Sequence, residues 1–150
     1  MEIDEIGTLA DALKFGMELE ESIREFYEEL SEREDLADEV KAVFSEFAEE
    51  SSEYWDYLDD KHRDACRSDM DMGALEPMSG MDIEDYELDV GLDPESESQD
   101  AVKAAIEAEK KASKFYVDIG EETDYISARE TKKIADKRDS RISKLESLLE

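Results

Sequence analysis

Two stretches of sequence, residues 12–27 (ALKFGMELEESIREFY) and residues 101–116 (AVKAAIEAEKKASKFY), carry the same pattern at an offset of 89 residues. Of eight positions compared between them, six are identical, including Glu20 and its counterpart Glu109. A weaker repeat, at an offset of 87 residues, relates the segments that follow each of them. An internal repeat of this kind indicates that one structural unit occurs twice. The chain is therefore predicted to contain two related helical hairpins.

Apolar residues recur at steps of three and four in four segments, which is typical of helices packed into a bundle. These segments cover residues of about 8–30, 35–61, 99–119 and 127–149. With 150 residues, the chain is expected to form one domain, residues 1–150. The predicted fold class is all-α: a four-helix bundle made of two hairpins and one long crossover connection.

The ends of the predicted helices also carry sequence signals. Thr8 with Asp11, and Ser127 with Glu130, have the spacing of capping boxes at the starts of the first and fourth helices. Residues of about 64–98 are rich in Gly, Pro and Met and are predicted to form the crossover loop, with a short helical turn near residues 83–86. Its methionines are Met70, Met72, Met78 and Met81, which are expected to fill gaps under the loop rather than to bind a soft metal.

The composition excludes several classes of partner. Acidic residues number 46 and basic residues 18, so the formal net charge is −28. Nucleic acids and anionic membranes require clustered Lys and Arg, and neither is expected as a partner. The sequence holds no long apolar run and no signal-peptide pattern at its N-terminus, so a cytoplasmic protein is expected. The acidic excess predicts a solvated outer face; gathered into one patch, it could instead collect cations or dock a basic partner.

The single cysteine, Cys66, precludes an internal disulfide bond and any site built from paired CxxC motifs. Cys66 is expected to be a free thiol in the crossover loop. The only histidine, His62, follows Asp59 at a carboxylate–histidine spacing, but near a helix end, and is interpreted as a surface residue.

Polar residues interrupt the apolar stripes at equivalent points of the repeat. Glu20 and Glu109 lie on the predicted core faces of the first and third helices, with Tyr27 and Tyr116 two turns further on. A carboxylate on a core face is costly unless it is neutralised, paired or bound to metal. For a single Glu, a snorkelling edge residue would be the better interpretation, but the symmetric pair predicts a shared central site.

These residues resemble the ferritin-like superfamily and, within it, the rubrerythrin-type domains. The resemblance is carried by four segments, residues 12–27, 44–58, 101–116 and 134–148. It implies a di-iron centre between four helices, with one Glu from each of the first and third helices and a Glu-x-x-His pair from each of the second and fourth. Glu20 and Glu109 match the two single-Glu ligands.

The other half of that ligand set is missing. Ser51 and Tyr54 stand at the Glu and His positions of the second helix, and Arg138 and Arg141 at those of the fourth. Arginine cannot bind a metal cation, and its planar fork fits carboxylates. We expect both arginines to point at the two glutamates in a neutral, hydrogen-bonded cluster, to which Ser51 and Tyr54 add donors. The alternative is that both arginines snorkel to solvent.

On this interpretation no cofactor is expected, and the protein is a non-catalytic binding or structural module. The alternative is an iron-binding oxidoreductase or peroxide scavenger with a non-standard carboxylate site. Glu50 with Glu53, and Asp136 with Asp139, have a chelating spacing, but they lie off the core stripes and are interpreted as solvated charge.

The resemblance also carries expectations about partners. Relatives commonly pair through helix faces, which implies a homodimer. Full-length rubrerythrins carry an iron–tetracysteine module that relays electrons, and one cysteine cannot form it. An external electron donor would therefore be needed only if the protein were redox-active.

Overall fold

The computed structural model describes residues 5–67, 75–78, 80–88 and 98–149. Four helices account for most of these residues, and the predicted all-α class is confirmed. They are α1 (Leu9–Ser31), α2 (Asp38–Arg67), α3 (Ser98–Glu122) and α4 (Ala128–Ser147). Helix α1 pairs with α2 and α3 pairs with α4, and the two hairpins meet along α1 and α3. Within the described ranges, no helix is long and apolar enough to cross a membrane.

Helix α2 extends about two turns beyond its predicted end near residue 61. Ala65 lies seven residues after Leu58 and is buried like it, so the apolar stripe continues to the new end of the helix. The expectation that Cys66 lies in the crossover loop was therefore wrong. Cys66 is exposed on the last turns of α2, where its Sγ lies 3.8 Å from Nε2 of His62.

The two predicted capping boxes differ in the structure. Thr8 Oγ1 accepts a hydrogen bond from the Asp11 amide, and the Asp11 carboxylate accepts one from the Thr8 amide, so the first box is confirmed. Ser127 likewise accepts from the Glu130 amide at 3.3 Å. The Glu130 carboxylate, however, lies 3.7 Å from Nζ of Lys61. Only the Ser127 half of the second box forms, because Glu130 faces α2.

The described part of the crossover lies against the helices. The amide of Leu9 donates to the carbonyl oxygen of Glu76 at 2.8 Å, and the amide of Met78 donates to that of Gly7 at 3.1 Å. A 3-10 turn at Ile83–Asp85 lies where the short helical turn was predicted. Met78 and Met81 are buried, in line with the predicted packing role. Met70 and Met72 lie outside the described residues.

A close approach of helices lies one turn before Glu20 on α1. A Cβ atom at Gly16 would lie 2.7 Å from the Phe115 ring of α3 and 2.9 Å from Cδ1 of Leu58 of α2. The absence of a side chain therefore lets α1 approach both neighbours closely at this level. This contact fixes the spacing of three helices next to the central polar residues.

Candidate functional site: a buried Glu/Arg cluster

The polar residues predicted on the helix stripes meet in the centre of the bundle. Glu20 of α1, Glu109 of α3 and Arg138 of α4 are completely buried, and Arg141 of α4 is 3% exposed. Each of these residues lies on the inward-facing stripe of its helix, which the three- and four-residue spacing defines. The alternative that both arginines snorkel to solvent was therefore wrong.

Arg138 connects the two glutamates. Its Nη1 donates to Oε2 of Glu109 at 3.1 Å, and its Nη2 donates to Oε1 of Glu20. The side chains of all three residues have no solvent exposure. One guanidinium thus joins the equivalent acids of the two hairpins.

Arg141 extends the cluster toward the surface. Its Nη1 donates to Oε1 of Glu109 at 2.6 Å, while Nε and Nη2 donate to Oε2 of Glu50 at 3.0 and 2.6 Å. The side chain of Glu50 is 31% exposed. Glu50 was interpreted as solvated charge; it is partly exposed, but it is also an ion-pair partner of Arg141. Glu50 precedes the stripe residue Ser51 by one position, and the long Arg141 side chain reaches this edge of α2.

The two equivalent tyrosines differ in their contacts. Tyr116 Oη donates to Oε2 of Glu20 at 2.5 Å. Burial and the charge of Glu20 raise the pKa of Tyr116 well above its usual value, so the hydroxyl keeps its proton and donates. The pKa of Tyr27 is raised by burial and also by the nearby carboxylate of Glu109. Within the described part of the chain, the Tyr27 hydroxyl makes no hydrogen bond.

Ser51 and Tyr54 do not add the hydrogen-bond donors that were predicted for them. Both hydroxyls are buried, and neither has a hydrogen-bond partner among the residues that the structure describes. Tyr54 instead presents its ring, whose centroid lies 4.9 Å from Cζ of Arg138 and 5.4 Å from Cζ of Arg141. A guanidinium over an aromatic face is a favourable cation–π contact. The ring of Tyr54 contributes to the cluster where the hydroxyl was expected to.

The charges of the fully enclosed groups balance. Glu20 and Glu109 offset Arg138 and Arg141, and Glu50 adds a further acid at the edge. Burial raises the pKa of Glu20, while the Arg138 charge and the Tyr116 hydroxyl act in the opposite direction. Burial would lower the pKa of Arg138, but the carboxylates of Glu109 and Glu20 raise it overall. The arginine is therefore charged at any physiological pH.

This donor set does not fit a di-iron centre. All four carboxylate oxygens of Glu20 and Glu109 already accept hydrogen bonds from Arg138, Arg141 or Tyr116. No group of three or more His, Cys, Asp or Glu residues within the described ranges could hold a metal ion. Asp139, one of the off-stripe acids, accepts a hydrogen bond from Ser113 Oγ at 2.9 Å.

The same fold occurs in a protein from Thermotoga maritima whose crystal structure is provisionally described as that of a ferritin-like diiron-carboxylate protein. The two structures align with a TM-score of 0.74 and 21% sequence identity, over 95% of this chain and 94% of that one. The chain therefore has a ferritin-like four-helix fold, as predicted. No protein-family model and no curated protein sequence matches it.

Proposed function

We propose that this chain is a rubrerythrin-type ferritin-fold protein in which a Glu/Arg ion-pair cluster takes the place of the di-iron centre. The observation that carries the proposal is the position of Arg138, which bridges Glu20 and Glu109 with all three side chains buried. The protein then acts as a non-catalytic binding or structural module in the cytoplasm.

The two inward-facing acids need a compensating positive charge in the bundle centre. In a di-iron protein, metal cations neutralise the carboxylates and provide the open coordination positions that chemistry needs. Here the guanidiniums of Arg138 and Arg141 neutralise the same carboxylates permanently. Guanidinium groups have neither an open coordination position nor an accessible redox state. The cluster is thus suited to holding the four helices together.

An iron-binding oxidoreductase is the competing function. Iron would have to displace two arginines from Glu20 and Glu109, and the displaced guanidiniums would remain as cations in the same enclosed space. Like charges at short range in a low-dielectric interior repel strongly. This cost favours the metal-free form.

Metal content tests the proposal directly. The parent and the quadruple variant Ser51→Glu, Tyr54→His, Arg138→Glu and Arg141→His would be produced in iron-rich medium and analysed by mass spectrometry for metals. We expect the parent to contain almost no iron and the quadruple variant to hold up to about two irons per chain. A matched double variant, Ser51→Glu with Tyr54→His, retains both arginines and should stay metal-free. Two irons per parent chain, with an absorption band that changes on adding peroxide, would establish the oxidoreductase instead.

A homodimer stays a prediction. Among the described residues, the exposed large hydrophobic side chains are Leu75 and Val117. Light scattering coupled to size-exclusion chromatography should give twice the chain mass of 17.2 kDa if the dimer forms. The mass of a single chain would contradict it.

A further inference from the structure

The buried polar atoms of the central cluster that lack partners in the described part of the chain include Ser51 Oγ, Tyr54 Oη and Arg138 Nε. Native proteins leave few such groups unpaired, and each one calls for an explanation. The hydroxyl of Tyr27 is also unpaired, but it lies near the Glu109 carboxylate.

Two of these atoms belong to buried residues of α2, and the third belongs to Arg138 of α4. Ser51 and Tyr54 are one turn apart on the same face of α2, and the guanidinium of Arg138 lies over the Tyr54 ring. The carboxylate oxygens of Glu20 and Glu109 already accept from other donors. Arg138 Nε donates to none of these oxygens, so a further molecule could accept its hydrogen bond.

The charges around this position restrict the chemistry of that molecule. A cation would be repelled by the guanidinium of Arg138. The Nε group of Arg138 is a hydrogen-bond donor and cannot act as a metal ligand. An anion would enter a cluster whose enclosed charges already balance, next to two carboxylates. A small neutral molecule that both accepts and donates hydrogen bonds can pair with the Arg138 N–H and the hydroxyls of Ser51 and Tyr54. Such a molecule adds no charge to the cluster.

We propose that a buried water molecule, or a pair of them, occupies this position and links Ser51, Tyr54 and Arg138. Buried waters typically make about three hydrogen bonds to polar groups that would otherwise be unsatisfied. Ser51 Oγ and Arg138 Nε have no direct hydrogen bond, and a water molecule can connect two such groups. The proposal rests on the metal-free cluster described under the proposed function.

A crystal structure of the parent at a resolution of about 1.5 Å tests this inference. We expect a density peak within hydrogen-bond distance of both Ser51 Oγ and Arg138 Nε, at about 2.7–3.2 Å. An empty centre in a metal-free protein would overturn the water site and leave the proposed function standing. Metal between the carboxylates would overturn both.

Two further measurements define the ligand. A crystal soaked in bromide should give no anomalous signal at this position, and a bromide peak there would show that the site takes anions instead. Ser51→Val removes the hydroxyl and fills the space, whereas Ser51→Ala removes only the hydroxyl. We expect the density peak to be lost in the valine variant and kept in the alanine variant. A peak unchanged in Ser51→Val would overturn the assignment to Ser51. If the valine variant does not fold, the density peak in the parent and alanine structures tests the water site.

Discussion

Arg138 of α4 donates to Glu109 of α3 at 3.1 Å, and neither side chain has any solvent exposure. A pair of this kind gives little net stability relative to a well-packed apolar core, because both charges lose their hydration. Removing one member of the pair is strongly destabilising, since the remaining charge is then buried without compensation. The cluster should therefore tolerate joint replacement better than the loss of one member.

Arg138→Met should lower the free energy of unfolding by about 3–5 kcal/mol, because Glu20 and Glu109 would lose their shared cation. Urea unfolding at pH 7 measures the loss. Arg129→Met removes an exposed arginine from the same helix and serves as the control, with an expected change within about 0.5 kcal/mol. Equal stability of Arg138→Met and the parent would contradict the role of the cluster.

The loss of unfolding free energy in Arg138→Met should depend on pH. Burial raises the pKa of Glu20, and Arg138 opposes this effect, so the pKa should rise further when the arginine is removed. The folded variant then keeps a proton that the unfolded chain has released, and its stability falls as the pH rises through that range. Urea unfolding of variant and parent at pH 5.5 and pH 8 should show the smaller difference at pH 5.5. A difference independent of pH would indicate that Glu20 is not the residue left uncompensated.

Arg141 has two acidic partners that should differ in importance. Glu50 is partly exposed and solvent-screened, so Glu50→Gln should cost less than about 1 kcal/mol and lose part of that cost in high salt. Glu109→Gln makes the same chemical change in the buried partner of both arginines and should cost about 3–5 kcal/mol. Unfolding curves at low and high salt compare the two variants. Equal losses would show that burial does not set the strength of these pairs.

Gly16→Ala tests the close approach of helices next to the cluster. Alanine is the better helix former by about 1 kcal/mol, but its Cβ would lie 2.7 Å from the Phe115 ring. Overpacking of this kind costs about 1–3 kcal/mol, so we expect a lower melting temperature in a thermal unfolding experiment. An increase would show that the Phe115 and Leu58 side chains move aside without cost.

The residues that meet in the centre could be predicted from the sequence. Helical periodicity and the internal repeat both indicate the direction in which a side chain leaves its helix. Glu20, Glu109, Arg138 and Arg141 all lie on inward-facing stripes, and the structure brings them together. Glu50 was missed because it lies one position off its stripe. Glu50 is a partner only because the Arg141 side chain is long enough to contact it. Periodicity carries no information about how far a side chain extends.

Other features depended on tertiary contacts that local patterns do not contain. The extension of α2 to Arg67 was signalled only by Ala65, a small residue that adds little to a hydrophobic stripe. The hydroxyls of Ser51 and Tyr54 were assigned to the cluster from their positions in the second helix and from residue type. The partners that these hydroxyls find depend on the tertiary arrangement of the four helices, which only the structure specifies.

We infer that guanidinium groups occupy the space between two inward-facing carboxylates that iron fills in di-iron proteins. An anomalous difference map, from a crystal of protein produced in iron-rich medium and measured at the iron absorption edge, tests it most directly. We expect no anomalous peak in the bundle centre and continuous density from Arg138 to both Glu20 and Glu109. Iron peaks between the two carboxylates, with Arg138 and Arg141 turned away from them, would contradict it.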